Sequence, residues 1–433
     1  MPVVLGALSI GPGLLVAVVL GASLAFLAAR ADIDRLARWA VGGGWFVFAL
    51  TSPTAEFPTF LRPVGVVLAF VGVILLRFGR PKAEVVKERL IPFTTKLLFI
   101  YLTFVMIGCL ASPYGPKNLI RGVQGTMVVL TAFYAASLGV GRILLTTTFL
   151  ASLANVALTV KSGAGEVLYN GDHTSRLAGF MQPNHLAFAC AVVIIAVVWL
   201  FPTSPRLRIP LVGCALLATY ALLASQSRTA LSALLAGLGA GICATYFVHG
   251  RRGRAAAWIL LAGLVMVPLV LPAFGTWFNR DKSSSSITSL TGRTDFWPFA
   301  VELIKERPVI GWGTDVILSP YGAKFQKVLP GVSEAHNSYL EAALIAGLPG
   351  ALAWASCLLG ITVGAFKLRH GSPYRFLLIS FGIVIELFAI TESSPAFFGD
   401  MFIIFVLCAA YYGESRAGTF DADPVGAPAL VAA

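Results

Sequence analysis

The sequence predicts an all-α polytopic membrane protein with about 12 transmembrane helices. Three observations carry that prediction. Hydrophobic residues make up 57% of the 433-residue chain, against roughly 45–50% in a soluble domain. Charged residues make up 12%, about half the usual ~25%. The 32 Lys and Arg fall mostly in short stretches between long apolar runs, as they do in a chain that threads a bilayer repeatedly. This balance excludes a soluble enzyme, a disordered chain and a nucleic-acid binder, despite a formal charge of +12.

Crossing ~30 Å of hydrocarbon takes about 20 helical residues, because a span must satisfy its own backbone hydrogen bonds. Apolar runs near that length lie at 12–29, 38–51, 64–77, 95–112, 121–139, 142–160, 185–202, 209–224, 229–247, 255–274, 338–366, 374–390 and 400–413. Gly11-Pro12-Gly13 interrupts the first apolar stretch, leaving one span or a broken hairpin, and hence 12 or 13 spans. No positive charge precedes the first apolar stretch, so an uncleaved first span is expected rather than a signal peptide. The six cysteines stand singly inside apolar runs with no CxxC or Cys/His spacing. They read as small buried hydrophobes.

Orientation follows from the basic loops. One side collects 19 of the 32 Lys and Arg, among them Arg77, Arg80, Lys82, Arg251, Arg252 and Arg254. The opposite short loops collect six: Arg62, Lys117, Arg121, Lys161, Arg176 and Arg228. The richer side is cytoplasmic, so the segments 161–184, 225–228, 275–335 and 391–399 face outward. The chain then divides into about ten N-terminal transmembrane helices over 1–274, an outward loop region over 275–335, C-terminal transmembrane helices over 336–413 and a cytoplasmic tail over 414–433. The outward region opens on Ser283-Ser284-Ser285-Ser286, expected to be flexible. It continues into a helix over 294–306, with Thr294 as a candidate N-cap, Asp295 in the first turn and Pro308 beyond the end. Phe296, Phe299, Val301 and Ile304 would lie on or near its membrane side.

Polar residues gather where outward loops meet spans. Ser225-Gln226-Ser227-Arg228-Thr229 joins two spans in a few residues, and Arg228 is either an interface snorkeler or a ligand for an anion at the membrane surface. Gly292-Arg293-Thr294-Asp295 sets Arg293 beside a helix start, where free backbone N–H groups and a guanidinium suit an anion; a helix-flanking charge is the plainer reading. His336 and Asn337 follow Glu334 where the outer loop re-enters the membrane. Histidine is the side chain whose ordinary titration range reaches neutrality, and Glu334 or Glu341 could orient it, though a capping or interfacial role is also open. Arg176 and Asn184 stand as wall residues of a cleft or as parts of a turn. Glu386 lies at membrane depth, functional or a structural partner. No GxxxxGK[ST] loop is present, and Gly311-Trp312-Gly313 reads as a tight turn.

Four segments taken together resemble the O-antigen ligase family of bacterial membrane glycosyltransferases, which also includes some polysaccharide polymerases. They are RLAGFMQPNHLA (176–187), SQSRTALSALLAG (225–237), GRTDFWPFAVELIKERPVIGWG (292–313) and AHNSYLEAALIAGLPG (335–350). The resemblance covers roughly 176–366; the N-terminal third matches in hydropathy alone. It implies a C-type glycosyltransferase fold in the bacterial inner membrane, with the active site and one long loop containing short helices in the periplasm. It implies a glycan donor on undecaprenyl diphosphate and an acceptor hydroxyl on lipid A–core or a growing glycan. By motif, His336 is the general base and Asn337 a positioning neighbour. Arg228 and Arg293 hold the lipid-linked diphosphate, and Arg176 is a weaker carry-over. Asp400, like Glu386, has no motif counterpart. Inversion at the anomeric carbon and metal independence are expected, and no cofactor or nucleic acid is implied; the other partners are membrane lipids.

Two other functions compete. A repeat-unit polymerase would run the same chemistry with another lipid-linked glycan as acceptor. A lipid-linked sugar transporter would place charges along mid-span positions and repeat its halves, whereas this membrane interior is nearly uncharged apart from Glu386.

Overall fold

The computed structural model describes residues 33–51, 61–78, 92–113, 116–169, 172–177, 181–202, 204–247, 293–317, 319–323, 327, 334–369, 372, 374–393, 396 and 400–416. The expected spans at 12–29 and 255–274, the serine-rich stretch and most of the tail lie outside them.

Helices run in the order α1 (Ile33–Thr51), α2 (Leu61–Phe78), α3 (Phe93–Leu110), α4 (Pro116–Ser137) and α5 (Gly141–Ser162). A hairpin of β1 (Ala164–Tyr169) and β2 (Asp172–Leu177) precedes α6 (Pro183–Leu200), α7 (Arg208–Ser225) and α8 (Arg228–Ile242). The last four helices are α9 (Arg293–Glu306), α10 (Ser338–Phe366), α11 (Arg375–Ala389) and α12 (Asp400–Arg416). Among the described residues, eight helices are long and apolar enough to cross a membrane. The expected spans 38–51, 374–390 and 400–413 appear as α1, α11 and α12, of 19, 15 and 17 residues.

The hairpin is the one departure from helix among the regular elements described, in a segment expected to be an outward loop. Its strands pair antiparallel with Gly165 opposite Arg176. Asn170-Gly171 separates them, the dipeptide most favoured in two-residue hairpin connections. Two helix starts also shift. Pro183 is the first residue of α6, so Asn184 lies inside the helix rather than capping it. Similarly, α9 begins at Arg293, one residue before the expected cap Thr294.

The chain clusters into two compact units. The first comprises residues 1–90, 126–227 and 417–433. In it α1 and α2 run antiparallel in close backbone contact: a Cβ on Gly44 would stand 2.5 Å from the Ala69 nitrogen, and one on Gly65 2.6 Å from that of Phe48. Small residues allow such approach where lipid supplies no hydrophobic drive between helices. Trp45 Nε1 donates to Thr148 Oγ1 of α5 at 2.9 Å. The hydroxyl in turn donates to the Leu144 carbonyl at 2.7 Å, so both polar groups are satisfied away from water.

The second unit comprises residues 91–125 and 228–416, and α10 is its centre. Packed on α10 are α3, α9, α11 and α12. At Gly347 the backbone of α10 leaves the helix, with φ 70° and ψ 176°. A straight helix would hold Tyr339 and Trp354 about 22 Å apart along its axis, yet their ring centroids are 5.3 Å apart. The chain therefore turns sharply at the break, and residues 338–346 form a separate half-helix.

A break inside an apolar helix frees backbone groups that need partners from elsewhere in the protein. The stretch after α9 supplies the partners. Trp312 N donates to Leu344 O at 2.7 Å and Gly313 N to Ile345 O at 3.1 Å. On the far side of the break, Leu348 N donates to Pro308 O at 2.7 Å. Gly311 and Gly313 both have positive φ, so Gly311-Trp312-Gly313 is a turn shaped to enter the break. Trp312 is buried and donates through Nε1 to Leu303 O at 2.8 Å. The Arg307 guanidinium lies 4.2 Å from its ring centroid. Ala300, Leu303 and Ile304 of α9 pack with Trp312 and Leu344 in one apolar cluster, joined by Phe299 at its edge. The apolar side of α9 thus covers the broken helix, while Val301, expected on that side, is exposed.

Candidate functional site

The half-helix over 338–346 starts at a corner built from four elements of the second unit. Asn337, not His336, is its N-cap. The Asn337 Oδ1 accepts from Tyr339 N at 3.0 Å and Leu340 N at 3.1 Å, satisfying two of the free donors at a helix start. The Asn337 side chain also reaches across to α11, donating through Nδ2 to Ile390 O at 3.3 Å. Its backbone N–H donates to Ser393 Oγ at 3.3 Å, and Ser338 Oγ donates to Glu392 O at 2.6 Å. The turn at 390–393 and the start of α10 are therefore stitched together.

Two further elements close the corner. Tyr101 of α3 donates its hydroxyl to Ala396 O at 2.7 Å. From α9, Trp297 Nε1 donates to Ala335 O at 3.0 Å. The Ala335 N–H is taken by Glu341 Oε2 at 2.9 Å. The residues on both sides of His336 are thus fixed from several directions.

His336 itself has φ 48°, the left-handed region where a non-glycine residue is held only by its surroundings. Its side chain is about a third exposed, and Nδ1 lies 3.5 Å from Glu392 Oε2. Glu392 is 6% exposed. The carboxylate found beside the imidazole is Glu392, whereas Glu341, expected there, is engaged by the Ala335 N–H. Sequence reading missed Glu392, Ser393, Trp297 and Tyr101 as parts of this corner. For Glu392 the available signal was a carboxylate just beyond a span, in a segment assigned to the outward side.

Arg228 begins α8. Gln226, in left-handed conformation, ends α7, and Ser227 N donates to Ser225 Oγ at 3.3 Å, so Arg228 follows a tight turn as the first helical residue. Within the second unit, α8 and α11 run antiparallel, with Gly237 against Ser380 and Gly241 against Phe376. At about 1.5 Å of rise per residue on both helices, that register puts Arg228 level with the end of α11 and the Ile390–Ser393 turn. Arg293 is the first residue of α9, one turn before Trp297. By register α8 begins level with the end of α11, α10 is bonded to that end, and α9 reaches Ala335 through Trp297, so the segments carrying Arg228, Arg293, His336 and Asn337 lie toward one end of the unit. Arg176 lies on β2 in the other unit. Glu386 of α11 accepts from the Tyr339 hydroxyl at 3.0 Å through Oε2, while its Oε1 is buried without a hydrogen-bond partner among the described residues.

The arrangement offers an imidazole with a buried carboxylate 3.5 Å from one ring nitrogen, not hydrogen-bonded to it, at a capped helix start, with two helix-initiating arginines at the same end. That combination suits proton transfer next to an anionic group. No curated protein sequence matches the chain at a significant level. The family model described as O-Antigen ligase matches residues 212–355, from within α7 to the second half of α10, and the match includes Arg228, Arg293, His336 and Asn337. The chain carries an O-antigen ligase family domain across residues 212–355.

Proposed function

We propose that this protein is a membrane glycosyltransferase that moves a glycan from undecaprenyl diphosphate to a hydroxyl of lipid A–core, on the periplasmic face of the bacterial inner membrane. The observation that carries the reading is His336: strained, tethered on both flanks and set at the end of the unit where Arg228 and Arg293 begin their helices. The 19-to-6 division of basic residues supports the outward orientation of that end. The same division supports a membrane part over 1–274 and 336–413, a periplasmic part over 275–335 and a cytoplasmic tail.

The chemistry follows from the donor. Its C1–O bond to diphosphate already stores the driving force, so no nucleotide is consumed. The acceptor oxygen attacks C1 opposite the leaving group, the new C1–O bond forms, and the old bond breaks with its electron pair going to the diphosphate. The anomeric centre inverts. His336 takes the hydroxyl proton, a role typically worth ~10²–10⁴-fold in rate. Arg228 and Arg293 stabilise charge on the departing diphosphate, at about 3–4 kcal/mol for each well-placed donor in a partly dehydrated site. Asn337 holds the base in place through its cap and its bond to Ile390. Arg176 would serve donor binding only if the hairpin reaches the same glycan.

The test is His336→Ala in cells, with the protein quantified by blot, surface glycan resolved on a gel and lipid-linked donor measured. The expected result is loss of lipid A-linked glycan, unchanged protein level and accumulated donor. Shortened glycan ladders with ligation intact would make the enzyme a polymerase. Unchanged glycan would remove His336 from the mechanism.

A further inference from the structure

We propose that Glu392 is the positioning residue of the transfer reaction, holding His336 in the tautomer and orientation that make Nε2 the base. This rests on the reading of His336 given above and adds a residue outside the matched segment 212–355.

Glu392 is 6% exposed, and its Oε2 lies 3.5 Å from His336 Nδ1, close to the ring nitrogen but not hydrogen-bonded to it. A carboxylate on that side favours the proton on Nδ1 and leaves the lone pair on Nε2, across the ring from Glu392. The carboxylate is itself placed through its backbone. The Ser338 hydroxyl donates to the Glu392 carbonyl at 2.6 Å, and the flanking residues are tied to Asn337 by the Ile390 and Ser393 bonds. Movement of the α11 turn would thus carry the start of α10 with it. The left-handed backbone at His336 points the same way, because such strain persists only where several contacts enforce it. When the acceptor hydroxyl yields its proton to Nε2, the ring becomes an imidazolium facing an anionic carboxylate. Glu392 takes no proton; it stabilises the charge that forms. Catalytic contacts are often long before substrate binds, and the 3.5 Å separation is expected to shorten on donor binding.

Other ionisable groups stand near the imidazole, Asp315 on the segment after α9 among them. Glu334 and Glu341 lie on the segment of His336, with Glu341 engaged by the Ala335 N–H. Glu386 on α11 is engaged by Tyr339, Tyr101 on α3 by Ala396, and Arg228 and Arg293 begin helices at this end. Among the described contacts, Glu392 is the carboxylate at the imidazole.

The experiment compares wild type, Glu392→Gln, Glu392→Asp and His336→Ala as full-length protein in native membranes. It follows release of undecaprenyl diphosphate from the membrane pool of lipid-linked glycan, a product common to every acceptor. Glutamine keeps the volume and loses the charge. Expected for Glu392→Gln is a fall in kcat between about 10-fold and 10⁴-fold, the upper figure being that of a fully engaged triad carboxylate, with donor KM changed less than about threefold. Glu392→Asp should recover part of the rate. A kcat for Glu392→Gln within twofold of wild type, or a loss that follows protein amount and is not partly recovered by Glu392→Asp, overturns the proposal. An active His336→Ala refutes the base assignment itself; an inactive His336→Ala beside a fully active Glu392→Gln refutes Glu392 alone.

Discussion

Replacing Gly347 by alanine tests the architecture that presents His336. The wild-type backbone has φ 70° and ψ 176°, a region open essentially to glycine, and forcing another residue into it costs about 1–3 kcal/mol. The added Cβ would also run into the Val309 carbonyl and stand 3.0 Å from the Ile310 nitrogen. Overpacking of that kind costs typically about 1–3 kcal/mol more. The sum, about 2–6 kcal/mol, is a large share of the roughly 5–15 kcal/mol that holds a typical domain together. Relief by pushing the 308–313 segment away would strip Leu344 O and Ile345 O of their donors, at about 1–3 kcal/mol for each buried orphan. The assay is the midpoint of thermal aggregation of detergent-purified protein, with glycan transfer measured on the same preparation. Gly43→Ala is the control: its Cβ meets nothing within 4 Å, and alanine in mid-helix is better than glycine by up to about 1 kcal/mol. Gly347→Ala should lower the midpoint by more than about 5 °C and abolish transfer, while Gly43→Ala leaves both intact or improved. A Gly347→Ala protein with a wild-type midpoint would refute the claim that the break is enforced by packing.

Three further outcomes follow from the same geometry. Asn337→Ala should destabilise by about 1 kcal/mol for the lost cap and slow transfer, while Asn337→Asp keeps the cap and loses the donor to Ile390; thermal midpoints and transfer rates of the two variants separate cap from tether. Tyr101→Phe strips the Ala396 carbonyl of its donor and should cost about 1–3 kcal/mol, read as a lowered midpoint. The Arg121–Asp315 pair joins α4 to the segment after α9, but its side chains are 41% and 22% exposed. A double-mutant cycle on stability should therefore return less than about 1 kcal/mol of coupling.

The apolar helices were legible because the bilayer writes them into the sequence: length and apolarity are imposed at every crossing, so expected runs such as 142–160 and 185–202 reappear as α5 and α6. What the sequence concealed has physical causes too. Gly347-Leu348-Pro349-Gly350 stands in an unbroken apolar run, and glycine and proline are tolerated inside membrane helices, so nothing local separates a mild kink from a full break. That distinction depends on the carbonyl partners supplied by Trp312 and Gly313, more than thirty residues earlier in the chain. Glu392 was hidden for the same reason, since only the fold brings the turn after α11 to the start of α10. Glu341 and Glu334 were the carboxylates near His336 in sequence. A helical residue five positions on is instead drawn to the backbone N–H at the entrance to its own helix.

On the proposed function, the break in α10 also sets the depth of the chemistry. A lipid-linked diphosphate carries its charge at headgroup level and its hydrocarbon in the membrane, so the base and arginines must stand at the ends of spans. An unbroken α10 of 29 residues would rise about 43 Å, well beyond the ~30 Å hydrocarbon layer, and would lift His336 clear of the interface. Turned aside at Gly347, the remaining helix over 348–366 rises about 28 Å, close to one crossing. The half-helix then folds back along the second unit and brings His336 to the level where α8 begins and α11 ends. Charge deep in the bilayer is costly, and at this level Arg228, Arg293 and Glu392 need not be buried in hydrocarbon to act together. The Gly311–Gly313 turn that satisfies the broken backbone belongs to the same outer segment that begins with Arg293. Loss of that turn should therefore displace the base and an arginine-bearing helix together, and not merely loosen a loop.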